Sequence, residues 1–216
     1  MNVLIACEES QRVCMAFRER GHNAFSCDIL DCSGGHPEWH IQMDVTMILG
    51  GDCSFCTNDG KIHHLFGPWD LIIAHPPCTY LTVAGAVRMF NHNHTIKDPE
   101  RFKKMLLAKD FFMMFWNCNC EKVGIENPLP MKIAGLPKYS QIIEPYYFGD
   151  PYCKRTCLWL RGLEPLKPVD IVEPIGYWVN ASSKSSNKNN PIGKSSQKER
   201  SKTFPGIARA MAEQWG

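Results

Sequence analysis

The residue in this chain best placed for covalent chemistry is a thiol that follows two prolines. In His75-Pro76-Pro77-Cys78 the prolines restrict the backbone and remove two amide donors, so the next side chain projects in a set direction. The apolar run Asp70-Leu71-Ile72-Ile73-Ala74 reads as a buried strand that delivers the chain to this point. There are eleven cysteines, and free cysteine usually behaves as a small buried hydrophobe. Position at a strand end separates Cys78 from the rest.

Other strand ends carry polar groups as well. Val3-Leu4-Ile5-Ala6 leads into Glu8-Glu9-Ser10, Ala24 to Asp28 and His40 to Asp44 each end on an acid, and Val123-Gly124-Ile125 runs into Glu126-Asn127-Pro128. In doubly wound sheets ligands bind beyond the carboxyl ends of the strands. Two acids after successive strands suit a nucleoside-like cofactor: one carboxylate accepts from both ribose hydroxyls, another from an adenine amino group. Asp28, with Ile29 beside it, and Asp44 are the candidates. Solvated strand-end acids are the plain alternative.

The elements that must position these groups follow from periodicity. Val13, Phe17 and Arg20 continue the first strand into a helix that stops at Gly21. Cys32 to Pro37 reads as loop, and Asp59-Gly60 between Phe55 and Ile62 predicts a hairpin. Phe102, Leu106, Phe111 or Phe112, and Phe115 predict a long helix over 99–117. Ile142 to Tyr146 and Thr156 to Leu160 are expected as closing strands. Strands alternating with helices and then a strand pair predict an α/β fold: a mostly parallel twisted sheet with an antiparallel edge and helices on both faces. Residues 180–202, rich in Ser, Lys and Asn, are expected to be a mobile loop. Ile207, Met211 and Trp215 share one face of a closing helix.

These residues resemble a known family. His75-Pro76-Pro77-Cys78-Thr79-Tyr80-Leu81 is similar to the Pro-Pro-Cys catalytic loop of cytosine-5 DNA methyltransferases, and Ile125-Glu126-Asn127-Pro128 to their Glu-Asn motif, in the same order and at a similar separation. Phe148-Gly149-Asp150-Pro151-Tyr152-Cys153-Lys154-Arg155 is more loosely similar to their Gly-x-Pro-Gln-x-Arg-x-Arg segment. The likeness covers nearly the whole chain and is strongest to the short versions carried by phages and prophages.

The resemblance implies a Rossmann-like class I methyltransferase fold and S-adenosylmethionine as cofactor. The core would span residues 1–160, a short variable basic segment in the target-recognition position 161–202, and a helix packing back on the core 203–216. It implies Cys78 as the nucleophile at cytosine C6, presented by Pro77. Glu126 would bond the N3 and amino edge of the ring, Asn127 would shape the loop, and Lys154 or Arg155 would contact the base or a nearby phosphate. Ala6, Glu8, Glu9, Ser10, Asp28, Ile29, Asp44 and Pro76 would line the cofactor site. The family's Phe-x-Gly-x-Gly turn is replaced by Ala6-Cys7-Glu8-Glu9-Ser10, which leaves the amides at the start of the following helix to meet the cofactor carboxylate. Tyr152 and Thr156 stand where the family has Gln and its second Arg.

DNA is the expected partner, with the target base flipped out or already single-stranded, and a cytosine-containing RNA or a free nucleotide is the alternative substrate. Between Arg161 and Glu199 there is little room for a folded reader of bases. Lys184, Lys188, Lys194, Lys198, Arg200 and Lys202 would grip phosphates, or form a solvated loop. Two rivals remain. An amino-methyltransferase acting on adenine N6 or cytosine N4 would need a polar acceptor and an aromatic where His75 and Cys78 stand. A non-catalytic nucleic-acid-binding or decoy protein could keep the fold without turnover.

Composition bounds these readings. With 216 residues, 44% of them hydrophobic, the chain supports one ordinary core, and a net charge of +2 by itself argues for no nucleic-acid partner. The amino terminus lacks a basic region followed by a long apolar run, and no stretch approaches the ~20 apolar residues of a membrane-spanning helix. A reducing cytoplasmic setting is expected, that of the host cell if the chain is phage-encoded. Cys53, Cys56, His63 and His64 have zinc-ligand types, but their spacing matches no common pattern and the hairpin accounts for them. His92 and His94 are assigned no role.

Overall fold

The computed structural model describes residues 1–86, 88–91, 95–178 and 197–216. His92 and His94, and the lysines at 184, 188 and 194, lie outside them. In chain order the strands are β1 (Asn2–Ala6), β2 (Asn23–Asp28), β3 (His40–Gln42), β4 (Cys53–Cys56), β5 (Ile62–Leu65), β6 (Leu71–Ala74), β7 (Val123–Pro128), β8 (Gln141–Ile143), β9 (Tyr152–Cys153), β10 (Thr156–Arg161) and β11 (Gly176–Tyr177). The helices are α1 (Arg12–Glu19), α2 (Val83–Ala86), α3 (Pro99–Asn117), α4 (Gln197–Ser201) and α5 (Pro205–Trp215).

Seven strands form one sheet in the order β3-β2-β1-β6-β7-β10-β8, a Rossmann-like α/β arrangement in which only β10 runs against its neighbours. The strand order reverses between β1 and β6, so the crevice beyond the carboxyl ends opens at that switch point. The closing pair forms the expected antiparallel edge, with β10 antiparallel to both β7 and the outermost β8, and one boundary differs. Thr156 to Trp159 are all buried and need cover on both sides, whereas the three-residue β8 is short enough to serve as an edge. β8 ends before the expected Tyr146, because Pro145 cannot donate to a ladder and starts a 3-10 turn over Pro145–Tyr147.

Alternation along the strands sorts the core into two layers. Val3 and Ile5 of β1, with Leu71 and Ile73 of β6, pack under α1 and α5 against Phe17, Met211 and Trp215. Leu4, Ile72, Val123 and Ile125 point to the other face, where Phe112 and Phe115 of α3 cover them with Trp159. Gly124 leaves room for α5, since a Cβ there would lie 3.2 Å from the Trp215 ring. The 57–61 turn closes the β4–β5 hairpin, and Phe55, His63 and Trp69 stack beneath it. Among the described residues no group of three or more His, Cys, Asp or Glu is arranged to hold a metal ion, and no helix is long and apolar enough to cross a membrane.

The expected loop of 180–202 is corrected at its end, where 197–201 form α4. Gln, Lys, Glu and Arg are good helix formers, and Lys202 Nζ lies 2.6 Å from Glu199 Oε1. The third strand stops at Gln42, and Asp44 instead caps a turn over Val45–Met47.

Phe112 is fully buried and meets Trp159 edge-on at 5.0 Å, while the Trp159 Nε1–H donates to the Pro137 carbonyl at 2.7 Å. Phe112→Ala is expected to lower unfolding stability by about 3–5 kcal/mol in urea denaturation. A loss under about 1 kcal/mol would mean that the α3 face is not a close-packed layer.

Candidate active site

Parallel register decides which side chains meet. Ala74 lies opposite Ile125, so His75 and Glu126, one step further along, lie level on adjacent strands and point to the α5 face. His75 Nδ1 donates to Glu126 Oε2 at 3.0 Å, and the two side chains are only 9% and 10% exposed. The His75 amide donates to the Ala6 carbonyl at 2.9 Å, which ties the proline loop to β1. Asn127 Nδ2 donates to the Pro76 carbonyl at 2.7 Å and holds the same loop from β7. Pro77 is exposed, Cys78 half-buried, and the Cys78 carbonyl accepts from the amides of Leu81 and Thr82.

From α3, Arg101 Nη2 donates to the Thr79 carbonyl at 3.0 Å while its guanidinium lies 4.9 Å from the centre of the Tyr80 ring. The chain after the nucleophile candidate is therefore held by a helix 22 residues away in sequence.

Electrostatics couple this cluster. Burial alone would push the Glu126 carboxyl up, but the His75 bond and the Lys154 charge hold it below its ordinary value. Burial would likewise lower His75, and the Glu126 bond and charge, helped by Glu8, raise it instead. Burial chiefly, then the Glu126 charge, pushes the Cys78 thiol up, with Lys154 offsetting part. Lys154 Nζ sits 5.8 Å from the centre of the Phe204 ring, and its amide donates to Glu144. A small cleft beside Glu126 is lined by Lys154, Thr156, Thr203, Phe204 and Ile207. Arg155 turns away to Glu144, 3.9 Å between Nε and Oε1, with its side chain 65% exposed.

The turn after β1 differs from expectation. Glu8 is buried and its carboxylate accepts from the Val13 amide at 2.7 Å and the Cys14 amide at 3.1 Å. The amides expected to be open to a cofactor carboxylate are thus taken by the chain's own, which suits the positive end of a helix dipole. Cys7 and Gln11 adopt left-handed backbone conformations at φ 59° and 58°, which favour glycine. The amides of Cys7 and Glu8 both reach the Cys27 carbonyl and hold the turn in place. Gln11, fully buried, bonds both backbone groups of His36, and Gly34 passes so close that a Cβ would lie 2.6 Å from Gln11 Cβ.

Of the other cofactor candidates, Asp28 is half-buried with its carboxyl pushed up by burial, and Oδ1 accepts from the Leu30 amide at 2.9 Å. Ile29 next to it is 72% exposed. Asp44 is exposed and accepts from the Thr46 amide at 3.0 Å. Glu9 accepts from the Ser33 amide and hydroxyl, and Ser10 is buried. Ala6 and Pro76 contribute carbonyls already engaged by His75 and Asn127. Sequence reasoning gave no role to His75, Gln11, His40 or Arg101. The signal for His75 was its equal offset with Glu126 from two strand ends.

No protein-family model and no curated protein matches this chain. Among solved structures it is similar to a protein proposed to be a DNA modification methyltransferase encoded within a prophage of E. coli, with 14% identity and a TM-score of 0.45, covering 82% of this chain and 53% of that one. It is also similar to the Entamoeba histolytica methyltransferase EhMeth, with 14% identity and a TM-score of 0.40, covering 81% of this chain and 56% of that one. The chain thus spans a little over half the length of either.

Two outcomes follow from the charges. His75, raised above its ordinary 6.5, contributes stability that is complete below 6.5 and lost as pH rises through its folded value; Glu126, lowered from 4.5, contributes stability complete above 4.5 and lost as pH falls through its own. The stability gap between the wild type and Glu126→Gln in urea is therefore expected to be widest between these two values and to narrow on either side. Glu126→Gln should also speed iodoacetamide alkylation of Cys78 at slightly alkaline pH, read by peptide mass spectrometry, and Lys154→Met should slow it. Unchanged rates would mean that neither charge reaches the thiol.

Proposed function

We propose that this protein is an S-adenosylmethionine-dependent methyltransferase that modifies C5 of cytosine in DNA through a covalent Cys78 adduct. The observation that carries the reading is the proline loop of Cys78, tied to β1 by the His75 amide and to β7 by Asn127, next to the buried Glu126, which shares a small cleft with Lys154. Cytosine is a poor carbon nucleophile, and a thiolate added at C6 makes C5 enamine-like. Cys78 supplies that thiolate. Glu126 faces the N3 and amino edge of the ring and protonates N3 as the sulfur adds. Lys154 favours the thiolate, and Asn127 keeps the loop from moving under the reaction.

The residues present fit the nucleoside half of the cofactor. Asp28 would take the ribose hydroxyls, the exposed Ile29 would lie against the adenine, and Asp44 would accept from its amino group. At the other end Glu8 offers a carboxylate, a partner for the α-ammonium group rather than for the α-carboxylate. When bound, the cofactor supplies an electrophilic methyl group. A flipped or single-stranded cytosine would enter from the side of Cys78.

The filled α1 amino terminus also favours one second reading, a non-catalytic nucleic-acid-binding protein that keeps the fold. The experiment is to incubate the protein with labelled S-adenosylmethionine and duplex DNA, digest to nucleosides and identify the product. Label is expected on 5-methylcytosine, and Cys78→Ser should abolish transfer while cofactor binding by calorimetry persists. Label on an exocyclic amine, or a fully active Cys78→Ser, would sink the proposed mechanism, and no label with any nucleic acid would favour the second reading.

A further inference from the structure

Two buried histidines in this protein are used in opposite ways. His40 is satisfied at both ring nitrogens, Nδ1 with the Ser26 hydroxyl at 2.8 Å and Nε2 with the Leu30 carbonyl at 2.9 Å. That is how a histidine serves packing, since a buried polar atom without a partner costs about 1–3 kcal/mol. His75 has its side chain 9% exposed, yet only Nδ1 is engaged, with Glu126, and Nε2 is buried with no hydrogen-bond partner among the described residues. The Asn127 side-chain oxygen, on the other side of Pro76, is unpartnered too. Unpaired polar atoms gathered around one loop mark a place kept for chemistry rather than for stability.

We propose that His75 is a positioning residue that acts through Glu126, holding its carboxyl in one orientation and supplying the proton it gives to the base. The proposal rests on the cytosine reading above. Charged groups face the imidazole from three elements: Glu126 from β7, Glu8 from the turn after β1, and Lys154 from the segment between β9 and β10. The two carboxylates favour the imidazolium and the lysine opposes it, with the raised His75 value as the net result. A proton is thus stored 3.0 Å from Glu126 while the Glu126 carboxyl itself is held low.

Every proton in the step has a donor and an acceptor. The Cys78 thiol first gives its proton to solvent water. The His75 Nδ1 proton passes to Glu126 Oε2, which leaves a neutral imidazole and a neutral carboxylic acid. The sulfur electron pair forms the S–C6 bond, the C5=C6 pair moves to C4=C5, and the N3=C4 pair takes that proton at N3 from Glu126. After methyl transfer to C5 the N3 proton returns along the same path, and in elimination the C5 proton goes to solvent water as the C5–H pair forms C5=C6 and the S–C6 pair returns to sulfur.

The test uses the full chain with DNA carrying 5-fluorocytosine and S-adenosylmethionine, scoring the covalent adduct on denaturing gels from about pH 6 to about pH 9, with DNA affinity measured in parallel by fluorescence anisotropy. Wild type should give a bell-shaped profile whose alkaline limb reports loss of the His75 proton. His75→Gln should bind DNA as well as wild type, form adduct roughly 10²-fold more slowly, and lose that alkaline limb. Wild-type adduct with an unchanged His75→Gln rate and profile would overturn the relay alone, whereas no wild-type adduct would overturn the cytosine reading and the relay with it. Thermal melts check that the variant folds. If it does not, nuclear magnetic resonance titration of His75 in the wild type and in Glu126→Gln decides: a value that falls on removing the carboxylate supports the relay, and an ordinary value in both overturns it.

Discussion

The candidate site depends on parallel pairing between β6 and β7. Once Ala74 is opposite Ile125, the next residue on each strand must point to the same face, and here those residues are an imidazole and a carboxylate. A buried carboxylate without a partner is costly to ionise, and a buried histidine is costly to protonate. Each removes the other's penalty at 3.0 Å. Slip one strand by one residue and its member of the pair would turn to the apolar α3 layer, away from the other.

The rest of the site is arranged around this pair. The proline loop starts at His75, is tied to β1 by its first amide and to β7 by Asn127, and is steadied beyond Cys78 by Arg101. Burial chiefly, and then the Glu126 charge, makes the thiol harder to ionise, and the Lys154 charge offsets part of that. On the other side of the switch point, Glu8 closes the start of α1 from within. The price of this arrangement is left-handed backbone at Cys7 and Gln11, held by the Cys27 carbonyl and by the bonds of Gln11 to His36. A glycine-rich turn would relax that strain but would supply no carboxylate.

Much of the fold was legible because its signals are local. The β1 run, the aromatic spacing of α3, the Asp59-Gly60 turn and the face shared by Ile207, Met211 and Trp215 each lie within a few turns or pleats, and each element formed where periodicity put it. Elements whose limits depend on neighbours were less legible. β8 stopped at a proline, and 197–201 became helical next to α5.

By itself the sequence determined which reactive groups stand at strand ends, and so that Cys78, Glu126, Asp28 and Glu8 share one edge of a mostly parallel sheet. Tertiary structure alone decided which of them touch. His75 became the partner of Glu126 through register, Arg155 was drawn off to Glu144 while Lys154 lined the cleft beside Glu126, and Glu8 filled the helix start that a bound carboxylate would otherwise use. The reason is physical: strand ends are set by hydrophobic period along the chain, but the pairing of charges is set by distances across it, which no local pattern encodes.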